Sequence, residues 1–190
     1  MKGQHLFECI AIWPLVILLA GCVSDDVYLE ENMDFGALQS VAVVPFQNLT
    51  GQADAAERVR DTFMGMLLAT QAVYVVPSGE VWRGISKIGR IPPEGLSVEQ
   101  IRRLGNILEV QAVITGVLRE YGTVRSGTAS ANVISLSLQM IEVDQGLVVW
   151  SASSTKGGIN VWDRLFGGGG EPMSVVTEKA INDLLDKLFE

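Results

Sequence analysis

The sequence predicts an α/β fold: a single sandwich domain, with helices packed on a mixed sheet and a C-terminal antiparallel meander followed by a helix. Three observations lead there. Apolar residues recur at helical spacing in the first half and again at the C-terminus. The period changes to two after about residue 110. The elements then read strand, helix, strand, helix, helix, three strands, helix, with no internal repeat.

The chain opens on an apolar run, residues 10–20 (IAIWPLVILLA), with Lys2 ahead of it and an acidic stretch after it. A membrane-crossing helix needs roughly 20 such residues, so the run reads as the core of a signal peptide. It ends in Leu19-Ala20-Gly21-Cys22, which resembles the lipobox of bacterial lipoproteins. That resemblance implies cleavage between Gly21 and Cys22, with fatty acyl groups such as palmitate on the sulfur and new amine of Cys22. Several acyl chains anchor a protein stably where one does so only marginally. The residue after Cys22 is Val23, not the aspartate that resembles an inner-membrane retention signal, so the outer membrane is the expected destination, with the chain facing the periplasm. The expected organisation is a signal peptide over residues 1–21, a lipidated cysteine and acidic tether over 22–38, and an α/β domain over 39–190.

Residues 40–46 (SVAVVPF) form a β-branched run ended by Pro45 and the polar loop 47–51. Over 54–70, Val59, Phe63, Met66, Leu67 and Thr70 share a helical stripe, which is the pattern of a core-facing helix. Residues 72–76 (AVYVV) make a second strand stopped by Pro77, and Ser78 is placed to cap a short helix reaching Ile88. After the break at 89–95 (GRIPPEG), Ser97 and Gln100 fit a capping box for a helix to Leu108, with Ile101, Leu104, Ile107 and Leu108 apolar. Residues 111–121 read as a strand. Over 132–143, Ile134, Leu136, Leu138 and Met140 alternate with Ser135, Ser137 and Gln139. A tight turn at 144–146 leads into a third strand, 147–155. Val176, Ala180, Ile181, Leu184 and Leu188 lie on one face of a last helix over 173–189.

Composition narrows the chemistry. Removing Lys2 and Glu8 from the 14 basic and 22 acidic residues leaves the net charge at −8. Nucleic-acid binding rests on clustered Lys and Arg and is not expected, whereas a cationic ligand suits this balance. His5 and Cys9 leave with the leader and Cys22 is committed to lipid. No disulfide, histidine-dependent catalytic centre or His/Cys zinc site is then available, and no cofactor or metal is expected.

The opening VAVVPFQNLTG, the segment LEVQAVITGVLREYG, the hairpin ISLSLQMIEVDQGLVVWSAS and the closing amphipathic helix resemble a family of periplasmic lipoproteins. Its members are related to the curli secretion protein CsgG, the peptidoglycan-synthase activator LpoB and the polysaccharide-export lipoprotein PelC. The likeness spans roughly residues 39–189 and is most specific in the hairpin, with Asp144, Gly146 and Val149-Trp150-Ser151-Ala152-Ser153. It implies a non-enzymatic, homo-oligomeric accessory subunit of an envelope export or assembly system, with a cationic polysaccharide as an implied cargo. Membrane hairpins of the CsgG kind need strands of roughly 9 to 11 residues outside the core. The 124–131 loop reads as short and polar and 157–172 as glycine-rich, so no pore hairpin is expected.

Trp162, Leu165 and Phe166 form an apolar cluster beside glycines, a candidate for membrane or subunit contact; the plainer reading folds them onto the core. Gly167 to Gly170 precede a helix, yet they lack the Lys-Ser/Thr ending of a phosphate loop and Glu171 follows, so a hinge is the better account. Glu142 with Asp144, and Glu57 with Asp61, are the carboxylate pairs open to acid–base work on a glycan, though each reads first as a solvated face. Arg102, Arg103, Arg119 and Arg125 read as surface charge, with partner docking second. Two readings therefore stand beside the export subunit: an LpoB-like synthase activator and, more remotely, a carboxylate glycosidase.

Overall fold

A computed structural model describes residues 27–89, 91–92, 95–127, 129–159 and 170–189. The elements are β1 (Val27–Leu29), a 3-10 turn (Phe35–Ala37), β2 (Ser40–Val43), β3 (Gln47–Asn48), α1 (Ala55–Thr70), β4 (Tyr74–Val75), α2 (Ser78–Ile88), α3 (Val98–Leu108), β5 (Ala112–Ser126), β6 (Ala129–Glu142), β7 (Val148–Gly157) and α4 (Met173–Phe189). The expected α/β sandwich with a mixed sheet, a C-terminal meander and a closing helix is what forms.

Seven strands make one sheet in the order β1-β7-β6-β5-β2-β4, with β3 pairing β5 beyond the end of β2. The meander β5-β6-β7 and the β1–β7 pair are antiparallel; β2 with β4, β2 with β5 and β3 with β5 are parallel. Alternation along β2 divides the interior in two. Val41 and Val43 join a larger core with Phe63 and Leu67 of α1, Trp150 of β7 and Ile181 and Leu184 of α4. Ala42 and Val44 join a smaller one with Val81 of α2 and Ile101 and Leu104 of α3. Each large side chain fully buried in this way contributes about 1.5–3 kcal/mol.

Local chemistry sets the element ends. Ser97 accepts a hydrogen bond from the Gln100 amide at 3.3 Å, and the Gln100 side chain accepts one from the Ser97 amide at 3.0 Å, the reciprocal cap that the spacing predicts. Gly84 lets α2 and α3 pack closely: a Cβ there would lie 2.8 Å from Leu104 Cδ1. Ser78 departs from expectation. It is the first residue of α2, the cap position belongs to Pro77, and no side chain caps that end.

Three further differences follow from hydrogen bonding that hydropathy does not register. Residues 27–38, read as tether, belong to the fold: β1 pairs with β7, and Leu38 is 6% exposed. Gln47 and Asn48, read as loop, form β3 against Val117 and Leu118. In the polar stretch read as a loop, 124–126 and 129–131 are strand, since β5 and β6 run on in register from Tyr121↔Ile134 to Ser126↔Ala129.

Candidate functional site

Catalytic geometry fails to assemble around the carboxylates. Glu142 accepts the amides of Asp144 at 2.8 Å and Gln145 at 2.7 Å, one on each oxygen, so its carboxylate is committed to the turn. A groove of about 310 Å³ passes Asp34, Glu142 and Asp144, but its remaining walls are Met33, Ala37 and Val110 among others, with no aromatic sugar platform. Glu57 is exposed on α1, and Asp61 accepts from Arg60. No group of three or more His, Cys, Asp or Glu that would hold a metal occurs among the described residues.

The arginines singled out by sequence are dispersed. Arg102 donates through Nε to the Val143 carbonyl at 3.3 Å and so braces the β6–β7 turn. Arg103, Arg119 and Arg125 are exposed. Arg58, on the exposed side of α1, lies 5.8 Å from the centre of the Tyr121 ring.

Gly21 and Cys22, and the cluster Trp162, Leu165 and Phe166, lie outside the described residues. The flanks of that cluster are placed. Gly158 donates to Asn132 O at 2.8 Å and Gly170 donates to Ser130 O at 3.1 Å, so both ends attach to β6 beside the β5–β6 turn. Gly170 is a close-approach glycine: a Cβ there would lie 2.7 Å from Ala131 Cα. Its amide is committed to β6, and Glu171, ion-paired with Lys179, places a carboxylate ahead of α4.

What the fold does present is a sheet with two unlike outer edges. At one, β1 shows Tyr28 and Leu29, each 48% exposed. The Tyr28 hydroxyl donates to Glu30 at 2.7 Å. That bond, with one from Asn32, holds Glu30 below the usual carboxylate range, and it pushes the Tyr28 hydroxyl up. Residues 27–38 carry Glu30, Glu31 and Asp34 and no base. At the other edge β4 shows Tyr74, 60% exposed. An uncapped strand edge of this kind is a template for pairing with another chain. Sequence reasoning missed the β1 edge, because three residues are too few for any period to register, whereas it found the strand at 72–76 that contains β4 without showing that Tyr74 stands exposed on it.

Between the edges, the part of the other face that α2 and α3 leave uncovered is polar. Tyr28, Ser151, Gln139 and Thr115 stand opposite one another across four strands. Ser137 and Ser153 share a hydrogen bond at 2.7 Å, and Thr155 donates to Ser135 at 3.0 Å. Toward α3 this face runs into an open groove of about 560 Å³ between Phe46, Val117 and Ile141 on the sheet and Ile91, Leu96 and Ile101 opposite.

A mixed seven-stranded sheet with an antiparallel meander and a closing helix is shared with a set of solved structures. The PelC dodecamer of Paraburkholderia phytofirmans aligns with a TM-score of 0.57 at 21% identity, over 85% of this chain and 94% of that one. A single-substitution form of it aligns at 0.58 and 23%, over 85% and 96%. Lipoprotein GNA1162 of Neisseria meningitidis aligns at 0.55 and 18%, over 78% and 99%. These likenesses establish the fold. No family model matches the sequence, and no curated protein matches it. Among the described residues no helix is long and apolar enough to cross a membrane.

Proposed function

We propose that the mature protein is an outer-membrane lipoprotein facing the periplasm, anchored through lipid on Cys22, that acts without catalysis as a ring-forming accessory subunit of an envelope export system. The observation that carries this is the fold shared with a dodecameric protein over 85% of the chain, in a sheet whose two exposed edges differ. Unlike edges support head-to-tail contacts, which close into rings when the rotation between copies permits. The net charge of −8 suits a cationic polymer as cargo, in the manner that the PelC resemblance implies.

The anchor sets the height of the ring. Five residue steps separate Cys22 from Val27 of β1 and reach about 17 Å when fully extended, so the domain stands close to the bilayer. In this reading Trp162, Leu165 and Phe166 contact the membrane or the neighbouring copy. Replacing Trp162 and Phe166 with serine should disrupt assembly without lowering the melting temperature; an unchanged oligomer sinks that assignment.

The deciding test is mass in solution. The lipidated protein in detergent and an acyl-free chain of residues 23–190 would be sized by light scattering over a range of concentrations. A discrete large oligomer is expected. A strict monomer in both forms overturns the ring and favours a tethered activator of the LpoB kind.

A further inference from the structure

Two aromatic side chains stand open beside the β4 edge. Val75 joins the larger core and Val76 the smaller, so alternation along the strand puts the exposed Tyr74 on the face that carries α2 and α3. Trp82 of α2 lies on the same side. Gly84 faces α3, since a Cβ there would crowd Leu104, and Trp82 lies about 200° from it around the helix. It therefore points away from α3. Because α2 packs on β2 and α3 on β5, that direction is toward the β4 edge, where Trp82 is 47% exposed. Arg83 and Lys87 follow on the exposed surface of the same helix.

The β1 edge carries the complementary set. Val27 packs on the larger core, and Tyr28 stands in register with Ser151, Gln139 and Thr115, so its ring projects on the α2 and α3 face. The bond from its hydroxyl to Glu30 at 2.7 Å restrains the ring in advance, which lowers the ordering cost of a contact. Charge differs between the two edges as well. Residues 27–38 hold Glu30, Glu31 and Asp34 and no base. Together α2 and α3 hold four bases, Arg83, Lys87, Arg102 and Arg103, against two acids, Glu80 and Glu99. In a chain of net charge −8 these two helices are a local excess of positive charge.

Resting on the ring reading, we propose that Tyr28 of one copy docks against Tyr74 and Trp82 of the next, with Glu30 and Glu31 set against Arg83 and Lys87. A rotation small enough to close a ring of many copies leaves neighbouring sheets facing the same way, so Tyr28 arrives on the face where Tyr74 and Trp82 lie open. Within each copy β1 is antiparallel to β7, and β7, β5, β2 and β4 share one direction. Across the junction β1 then runs antiparallel to β4. The aromatic rings supply the buried area, and charge selects the partner edge. A two-fold contact of β1 on β1 would set acids against acids, which favours the head-to-tail contact that a ring requires. Arg83 also meets Glu80 at 3.5 Å, but both side chains are at least half exposed, so that pair competes weakly.

Light scattering of the lipidated protein in detergent, over a range of concentrations at fixed ionic strength, tests the contact by exchanging charges. Glu30→Lys with Glu31→Lys, and separately Arg83→Glu with Lys87→Glu, should each raise the concentration for half-assembly by about tenfold or more, because like charges then face one another. All four changes in one chain restore opposite signs and should return assembly to the parent's range. Trp82→Ser should also weaken assembly at an unchanged melting temperature, since that ring is exposed, and it serves where a charge reversal fails to fold. A monomeric parent overturns the ring reading and this contact with it. A parent ring that tolerates Trp82→Ser or either charge reversal, or one that the fourfold exchange fails to restore, keeps the ring and overturns the contact.

Discussion

The indole N–H of Trp150 donates to the carbonyl of Lys187 at 3.1 Å, which ties the centre of β7 to the last turns of α4. The ring itself is fully buried, so the bond sits at the middle of the larger core. Trp150→Phe keeps an aromatic there but loses the donor, orphans the carbonyl and leaves a void. About 2 kcal/mol of destabilisation is expected, read as a lower denaturation midpoint with unchanged slope.

The same helix is held by a charged cluster. Asp183 accepts from Lys156 at 2.6 Å and lies 3.1 Å from Lys187, whose Nζ also donates to the Ser153 carbonyl. Partial burial works against the Asp183 charge, but the Lys156 and Lys187 ammonium groups outweigh it and hold the carboxyl below its usual range. A depressed folded-state pKa contributes stability that is fully present above the unfolded value near 3.9 and is lost as pH falls through the folded value. Melting temperatures of the parent protein and Asp183→Asn should therefore differ at neutral pH and converge once the pH falls below the depressed folded-state value.

Glycines separate packing from propensity. At Gly157, with φ of +86°, a Cβ would lie 2.1 Å from the Asn132 carbonyl oxygen. Gly157→Ala should cost on the order of 3 kcal/mol, through strain and a backbone clash that cannot relax cheaply. At Gly65, inside α1, a Cβ would meet nothing within 4 Å. Gly65→Ala should stabilise by about 0.5–1 kcal/mol through helix propensity, measurable in the same thermal scan.

The ring reading makes a demand on mixtures. Tyr28→Lys puts a charge on the β1 edge and Tyr74→Lys puts one on the β4 edge, each blocking pairing there. Alone, each variant should be monomeric. Mixed in equal amounts, they retain one intact contact between unlike edges and should stop at a heterodimer, resolved by light scattering. Either variant assembling as the parent does would remove that edge from the interface.

Much of the architecture was legible because long periods repeat themselves. The alternation from Ile134 to Met140 defines β6 and its buried face, and Ser97 with Gln100 defines the start of α3. Elements whose existence depends on a partner strand gave no such signal. Val27–Leu29 among acids, and Gln47–Asn48 in a polar loop, are strands only because β7 and β5 offer backbone partners. The buried Arg60 was equally hidden, since it stands among the charged residues Glu57, Arg58 and Asp61 off the apolar stripe of α1. Of the candidate contact residues, the sequence reading rests on Trp162, Leu165 and Phe166, whereas the described surface offers Tyr28, Leu29 and Tyr74.

The pairing of Val27 with Ala152 also fixes an order in time. A chain delivered across a membrane from its N-terminus presents β1 first and its partner β7 only after more than a hundred further residues. Through that interval β1 has no ladder to join, and in the lipoprotein reading proposed above the leader end stays accessible to whatever processes it. Closing that edge is a late event, one that reports that most of the chain has arrived.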